Sequence, residues 1–296
     1  MSPKAPAGGR RRTLREDFRI CGVGVHTGAR AEVRVVPAEA GTGRRFFRMD
    51  MDGQPSVEAR ERHWSPSRLS TLLVSGAASV RTVEHILSAL AGFCIDDARI
   101  EVWGPEIPIM DGSALLWAES ISRVGVTEGG IVENHPPRID EPLWVRSGDA
   151  FVAALPAEEL RFTYGIDFPP PIGNQWRSFC PDRDDFAAEI APARTFARLE
   201  DVERLREANL IQGGTLDCAI VCGPEGWLNP PLRFDDEPVR HKLLDLIGDL
   251  SLLGDIPKAH FIAYKAGHRL HAEMARAASL RNTGETGTIC SSCKPA

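Results

Sequence analysis

The sequence of 296 residues lacks the features that mark membrane, secreted and nucleic-acid-binding proteins. No apolar run approaches the roughly 20 residues that a helix needs to cross a bilayer. The start of the chain is rich in Pro, Gly, Lys and Arg and has no apolar signal segment, so we expect a cytoplasmic protein without a transmembrane segment. The formal net charge of −6 argues against nucleic acid as a partner. The basic run Arg10-Arg11-Arg12 is interpreted as a solvated arm.

The cysteines and glycines also lack the spacings of common sites. The 7 cysteines follow no disulfide framework, so reduced structural thiols are expected. Cys290 and Cys293 have the spacing of half a zinc site, but no second pair accompanies them, and the indication is weak. The glycine-rich segment 22–28 lacks the G-x-G-x-x-G spacing and precedes a strand, which argues against a dinucleotide-binding turn.

The order of local patterns repeats between the two halves of the chain. Each half has strands, then a helix with a histidine, then a glycine and a further strand, with the histidines at His85 and His241. This repetition predicts an α+β fold of two similar domains that face each other across a cleft containing the active site. The expected divisions are an N-terminal domain at 1–128, a C-terminal domain at 138–282 and a flexible tail at 283–296, with a linker at 127–137.

The segment 241–250 predicts an amphipathic helix with an unusual polar edge. Its leucines and isoleucine cluster on one face, while His241, Asp245 and Asp249 follow one another at i, i+4 and i+8 on the other. An imidazole and a carboxylate one turn apart can bind the same metal ion. The alternative is an ordinary surface pair.

A second predicted helix begins after Thr82, the expected N-cap, and ends at Gly92. Glu84 and His85 are neighbours at its start, about 100° apart around the helix. One can therefore bind a metal while the other reaches water at that metal. The alternative is a core-edge histidine beside a solvated glutamate.

Together these residues predict a catalytic zinc site. His85, His241 and Asp245 supply three ligands and leave a coordination position open. Glu84 is then the candidate general base, and His268 the candidate acid.

Three other residues have predicted supporting roles. Asp249 is expected to hold His268 as an imidazolium. Lys242 and Thr195 are candidates for stabilising an oxyanion.

At these positions the sequence resembles the UDP-3-O-acyl-N-acetylglucosamine deacetylases, which are zinc amidohydrolases of lipid A biosynthesis. The matching segments occur in family order: GVGVHTG at 22–28, TVEHILSALAG at 82–92, PEIPIMDGSA at 105–114, ARTF at 193–196, GGTLDCAIV at 213–221, LRFDDEPVRHKLLDLIGDLSLLG at 232–254 and YKAGH at 264–268.

The resemblance implies the same zinc ligands and catalytic groups, and it adds substrate contacts. Lys265 matches a residue that contacts the nucleotide diphosphate, and Phe196 one that packs near the sugar. Each domain of the family has a small insert, and the second, here about 195–221, forms an apolar passage for an acyl chain. The expected lining residues are Val202, Ile211, Thr215, Ala219 and Val221.

The implied activity is removal of the N-acetyl group from a UDP-linked, 3-O-acylated glucosamine, giving acetate and a free amine. We expect a monomer that works near the membrane surface. Alternatives are a zinc amidohydrolase for another acylated amino sugar and a non-catalytic binding module. The chain departs from the family pattern at Ser70, where cysteine is usual, at Pro170, where a histidine is often found, and at His271, where asparagine is customary.

Overall fold

The described part of the chain forms strands and helices in both halves. The computed structural model describes residues 10–132, 138–229 and 231–282. The first half contains β1 (Arg10–Leu14), β2 (Phe18–Val23), β3 (Arg30–Pro37), β4 (Arg44–Arg48), β5 (Ser56–Glu58), a 3₁₀ turn (Glu61–His63), β6 (Trp64–Ser65), β7 (Leu72–Ser75), β8 (Ala78–Arg81), α1 (Glu84–Gly92), β9 (Ala98–Trp103), α2 (Leu115–Val124) and β10 (Val126–Ile131). The second half contains β11 (Leu143–Ser147), β12 (Ala150–Pro156), β13 (Arg161–Asp167), β14 (Asn174–Phe179), α3 (Phe186–Glu189), β15 (Phe196–Arg198), α4 (Leu199–Glu207), β16 (Ile220–Gly223), β17 (Gly226–Trp227), α5 (Glu237–Leu250), a 3₁₀ turn (Ser251–Leu253), β18 (Ala259–Tyr264) and α6 (His268–Asn282).

Two five-stranded sheets have the same topology, one in each half. Their strand orders are β2-β3-β9-β4-β5 and β11-β12-β18-β13-β14. In each sheet the central strand, β9 or β18, lies antiparallel to its neighbour in the hairpin, β3 or β12, and parallel to its other neighbour, β4 or β13. The prediction of an α+β fold is confirmed. The domain boundaries stay a prediction, and the one at residue 128 falls inside β10.

Smaller sheets complete the architecture. β6, β7 and β8 form one three-stranded sheet, and β15, β16 and β17 form another. These occupy corresponding places in the two halves, ahead of the helices that carry the predicted metal ligands. β1 pairs with β10 in a separate two-stranded sheet.

The helices pack on the sheet faces that alternation makes apolar. In β18, for example, Ala259, Phe261 and Ala263 are buried, and the side chains between them are less so. α5 and α6 lie against the second sheet, and α5 also packs along α1. Among the described helices, none has both the length and the apolar character needed to cross a membrane.

Gly248 allows α5 to approach α1 closely. A methyl group at this position would lie 2.1 Å from the carbonyl oxygen of Glu84, so any side chain would push the helices apart. A residue without a Cβ is therefore required at this crossing.

The N-terminal segment differs from the expected solvated arm. Arg11 is buried within β1, with its Nε 3.0 Å from Asp97 and its Nη1 3.3 Å from Asp255. A buried guanidinium needs such partners because burial removes its hydration. The predicted linker is also partly wrong, since residues 126–131 form β10. The rest of that linker at 133–137 and the tail with Cys290 and Cys293 lie outside the described residues.

The predicted Thr82 cap is wrong as well. Val83 precedes α1 without a side-chain cap, and the Thr82 hydroxyl donates to Glu106 Oε1 at 2.8 Å. The buried Glu106 carboxylate attracts this hydroxyl because a buried anion needs donors.

Candidate active site

The three predicted metal ligands lie together where α1 meets α5. His85 is in the first turn of α1, and His241 and Asp245 are one turn apart on α5. The Nε2 atoms of His85 and His241 lie 3.8 and 3.4 Å from Asp245 Oδ1. The three donor atoms are all within 4.8 Å of one another, and the three residues are buried.

The chemistry of these donors fits a divalent cation. His241 Nδ1 lies 3.0 Å from the Ala193 carbonyl oxygen, which can only accept, so Nδ1 carries the proton and Nε2 presents a lone pair. Asp245 Oδ1 is buried and has no hydrogen-bond partner within the described residues. Burial, reinforced by the adjacent His241, lowers the pKa of His85 to about 3 and keeps its ring neutral. Lone pairs that converge in this way need a cation, and two imidazoles with one carboxylate form a set that zinc accepts.

Lys242 compensates part of the charge of Asp245. Its Nζ lies 2.6 Å from Asp245 Oδ2. Burial opposes ionisation of this carboxyl, but Lys242 and His241 outweigh it and hold the pKa of Asp245 below its usual range. Oδ2 is therefore occupied, and Oδ1 is the oxygen that remains for a metal.

Glu84 and His268 lie beside the ligands. Glu84 Oε1 is 3.8 Å from His268 Nε2, and Glu84 Oε2 accepts the Thr71 N–H at 3.0 Å. Burial raises the pKa of Glu84 to about 8. Burial acts in the opposite direction on His268, but the carboxylates of Asp249 and Glu84 prevail and raise the pKa of His268 to about 9. Two groups that can exchange protons thus lie within 4 Å of each other.

Asp249 accepts a hydrogen bond from the His268 nitrogen that faces away from Glu84. Its Oδ2 accepts from His268 Nδ1 at 2.8 Å, and its Oδ1 accepts the Thr71 hydroxyl in a short hydrogen bond. Burial opposes ionisation of Asp249, but His268 lowers the pKa of this carboxyl to about 2. The structure therefore brings together the predicted residues Glu84, His268 and Asp249.

Thr195 lies close to the ligand side of the site. It is two residues from Ala193, which holds His241, and its N–H donates to the Gly112 carbonyl oxygen at 2.7 Å. The backbone is therefore well fixed. The predicted role of its hydroxyl stays a prediction.

A cavity of about 220 Å³ adjoins the site and contains two of the predicted contact residues. It is lined by Ile166, Asp167, Phe168, Lys242, Lys265 and Ala266. Lys265 Nζ lies 2.8 Å from Asp149 and 3.1 Å from Asp167. The Phe196 ring packs edge-on against Phe168, with centroids 5.4 Å apart. Lys242, Lys265 and Phe196 therefore lie around one region.

The small sheet of the second half has a cavity of its own. This cavity, of about 320 Å³, is lined by Pro170, Arg198, Leu199, Glu200, Glu203, Cys222, Gly223 and Pro224. The residues predicted to line an acyl passage are absent from this lining. All of them lie in the predicted insert at 195–221, which also supplies part of the lining. The assignment of Val202, Ile211, Thr215, Ala219 and Val221 stays a prediction.

Comparison with known proteins shows the family of the chain. A family model, LpxC, described as UDP-3-O-acyl N-acetylglycosamine deacetylase, matches residues 11–279. A UDP-3-O-acyl-N-acetylglucosamine deacetylase of Nostoc sp. is 54% identical over 270 residues, which cover 89% of this chain and 96% of that protein. The chain belongs to this deacetylase family.

Similar deacetylases are found in other organisms. The protein of the same name from Thermosynechococcus vestitus is 53% identical over 271 residues, covering 90% of this chain and 93% of its own length. An Arabidopsis thaliana protein, named probable UDP-3-O-acyl-N-acetylglucosamine deacetylase 1, mitochondrial, is 45% identical over 292 residues, covering 92% and 88%. The resemblance found in the sequence motifs is therefore confirmed.

Sequence patterns missed three residues of the deacetylase site. Thr71, Tyr164 and His271 join the hydrogen-bond network around Asp249. Helix α6 was not predicted, yet His268 is its first residue, and a helix there places His271 on the same side. Thr71 and Tyr164 had no local signal, because their partners are distant in the chain.

Proposed function

We propose that this protein hydrolyses the N-acetyl group of UDP-3-O-acyl-N-acetylglucosamine, a step of lipid A biosynthesis, to give UDP-3-O-acyl-glucosamine and acetate. Membership of the deacetylase family supports the reaction and the substrate. The observation that carries the proposal is the meeting of His85, His241 and Asp245 with Glu84 and His268 in one buried space.

We propose zinc as the metal and His85, His241 and Asp245 as its ligands. A bound zinc ion would supply Lewis acidity, which polarises the amide carbonyl and makes water more acidic. The chain itself keeps both imidazoles neutral and one carboxylate oxygen available, as described above.

The protein groups carry the protons. Glu84 accepts a proton from the attacking water, while the Thr71 N–H holds its other oxygen in place. The water oxygen forms a bond to the acetyl carbon, and the bond between that carbon and the sugar nitrogen breaks. His268 gives its Nε2 proton to the departing nitrogen, which leaves as an amine. Asp249 stabilises the imidazolium until that transfer.

Other groups act on the substrate around the reacting bond. Thr195 and Lys242 are proposed to stabilise the negative charge on the carbonyl oxygen. The pairing of Lys242 with Asp245 and its place in the lining of the cavity support this role. Lys265 and Phe196 are proposed to contact the diphosphate and the sugar. Cytoplasmic location, a monomeric state and proximity to a membrane remain predictions.

The direct test measures acetate released by the metal-loaded protein. We expect acetate from UDP-3-O-acyl-N-acetylglucosamine and far slower release from UDP-N-acetylglucosamine, because the acyl chain adds binding energy that positions the amide. Equal rates on both would indicate a different amino-sugar substrate. A protein that holds stoichiometric zinc but releases acetate from neither would overturn the proposal.

A further inference from the structure

A second histidine shares the carboxylate that orients His268. His271 Nδ1 lies 2.8 Å from Asp249 Oδ2, the same oxygen that accepts from His268 Nδ1 at 2.8 Å. An ionised carboxylate only accepts hydrogen bonds, so both nitrogens carry protons. With the Thr71 hydroxyl on the other oxygen, Asp249 has three donors around it. It therefore cannot rotate without breaking a buried hydrogen bond.

His271 is itself fixed at its other nitrogen. Its Nε2 lies 3.0 Å from the Tyr164 hydroxyl, whose single proton can be donated either to this nitrogen or to the Ala266 carbonyl oxygen at 2.7 Å. The Tyr164 and His271 rings meet edge to face, with centroids 5.7 Å apart, and both side chains are fully buried. The strand β13 thus sets the position of the His271 ring through Tyr164.

His271 is placed to act on His268 without touching substrate. It follows His268 by three residues on α6, so both rings leave the helix on the same side, with centroids 6.0 Å apart. His268 keeps some exposure, 13% of its side chain, whereas His271 has none. The hydrogen-bonded route from His271 to His268 runs through Asp249.

We propose that His271, held by Tyr164, is a positioning residue that fixes Asp249 and so aims His268 at the leaving nitrogen. The inference rests on the proposed function for its catalytic consequence. The structural part of the inference does not depend on that function: it is that the position of the Asp249 carboxylate depends on a second N–H donor. Removing the hydrogen-bond partner of a metal-ligating side chain typically changes activity by about 10–100-fold, and we expect the same scale for a partner of the proton donor His268.

The test compares two substitutions that rank oppositely for packing and for hydrogen bonding. His271→Asn keeps a short N–H donor, and His271→Leu keeps apolar volume without a donor. A positioning role predicts that His271→Leu loses at least about tenfold in kcat with KM within about twofold, and that His271→Asn recovers most of that loss. A purely space-filling role predicts the reverse ranking, in both kcat and thermal stability, because leucine suits a buried site better than asparagine.

Tyr164→Phe adds a coupling measurement. Because Tyr164 acts through His271, its removal should lower kcat in the parent protein and have no further effect in the His271→Leu background. Additive losses would show that Tyr164 acts independently, and would overturn that part of the proposal. His260→Leu is the matched control, since this histidine is only partly buried and hydrogen-bonds to Thr163 on the second sheet.

A spectroscopic readout separates this inference from the proposed function. In protein labelled with ¹⁵N-histidine, the His268 Nδ1–H signal should change in the His271→Leu protein and stay close to the parent position in His271→Asn. This measurement needs no substrate. An unchanged His268 signal in His271→Leu would overturn the positioning role, whereas a changed signal in a protein that releases no acetate would count against the deacetylase function alone.

Discussion

Helix α1 and helix α5 occupy the same place in the two halves, since each precedes the strand that joins the hairpin of its sheet. α1 has 9 residues and carries its functional side chains, Glu84 and His85, in its first turn. α5 has 14 residues and distributes His241, Asp245 and Asp249 along one edge. A repeated frame has therefore not produced a symmetric site. One half supplies the proposed proton acceptor and a single ligand, and the other supplies two ligands and the proposed donor.

The largest effects should come from removing a ligand on either side of this division. His85→Ala and His241→Ala should each lose bound metal and lower kcat/KM on the order of a thousandfold or more, because Lewis acidity contributes several kcal/mol to the transition state. Metal analysis and acetate release check this. If one of the two kept stoichiometric metal and activity, the ligand set would have to be revised for that half.

The proton-transfer groups should show a different signature from the ligands. Glu84→Gln and His268→Gln should lower kcat by about 10²–10⁴-fold, because each removes one proton transfer in the transition state. Both proteins should still bind metal, since neither residue is a ligand. Wild-type turnover in either variant would show that the substituted residue does not have its proposed role. The two halves would then not supply the proton acceptor and the proton donor as proposed.

Asp249→Asn should have a smaller effect on rate and a distinct effect on pH dependence. The carboxylate helps to raise the pKa of His268 to about 9, and the reaction needs His268 protonated, so activity is lost as pH rises through this value. Without the carboxylate the pKa of His268 falls, and the basic limb of the kcat/KM profile should move to lower pH. The rate below that limb should fall by about 10–100-fold. A basic limb that does not move would assign it to another group.

Gly248→Ala tests the crossing of the two helices and should have the smallest effect. The added methyl group meets the Glu84 carbonyl, so we expect a loss of about 1–3 kcal/mol in the free energy of unfolding, measured by urea denaturation. Gly129→Ala is the control, because a methyl group there would lie 3.6 Å from its nearest neighbour. Equal stability of the two variants would mean that the helices separate easily at this point.

The sequence predictions succeeded where the interacting residues are close in the chain and failed where they are far apart. The ligands on α5 were predictable because His241 and Asp245 are one helical turn apart, a spacing that local periodicity contains. The solvated interpretation of Arg11 failed because one of its partners, Asp255, lies 244 residues away in the chain.

Helix α6 and the role of Thr71 were not predicted from the sequence, for different reasons. Helix α6 has a usable signal, since Leu270, Met274 and Ala278 are apolar at helical spacing and are buried in the structure, but no helix is predicted there. Thr71, by contrast, has no local pattern, because it acquires its role from Glu84 and Asp249 on two different helices.

The ion pairs of Arg11 join the first strand to residues of both halves, with Asp97 before the second half begins and Asp255 near its end. The opening strand β1 therefore connects the two halves of the molecule through these ion pairs. Removal of residues through 14 would delete both ion pairs, so we expect it to lower the free energy of unfolding.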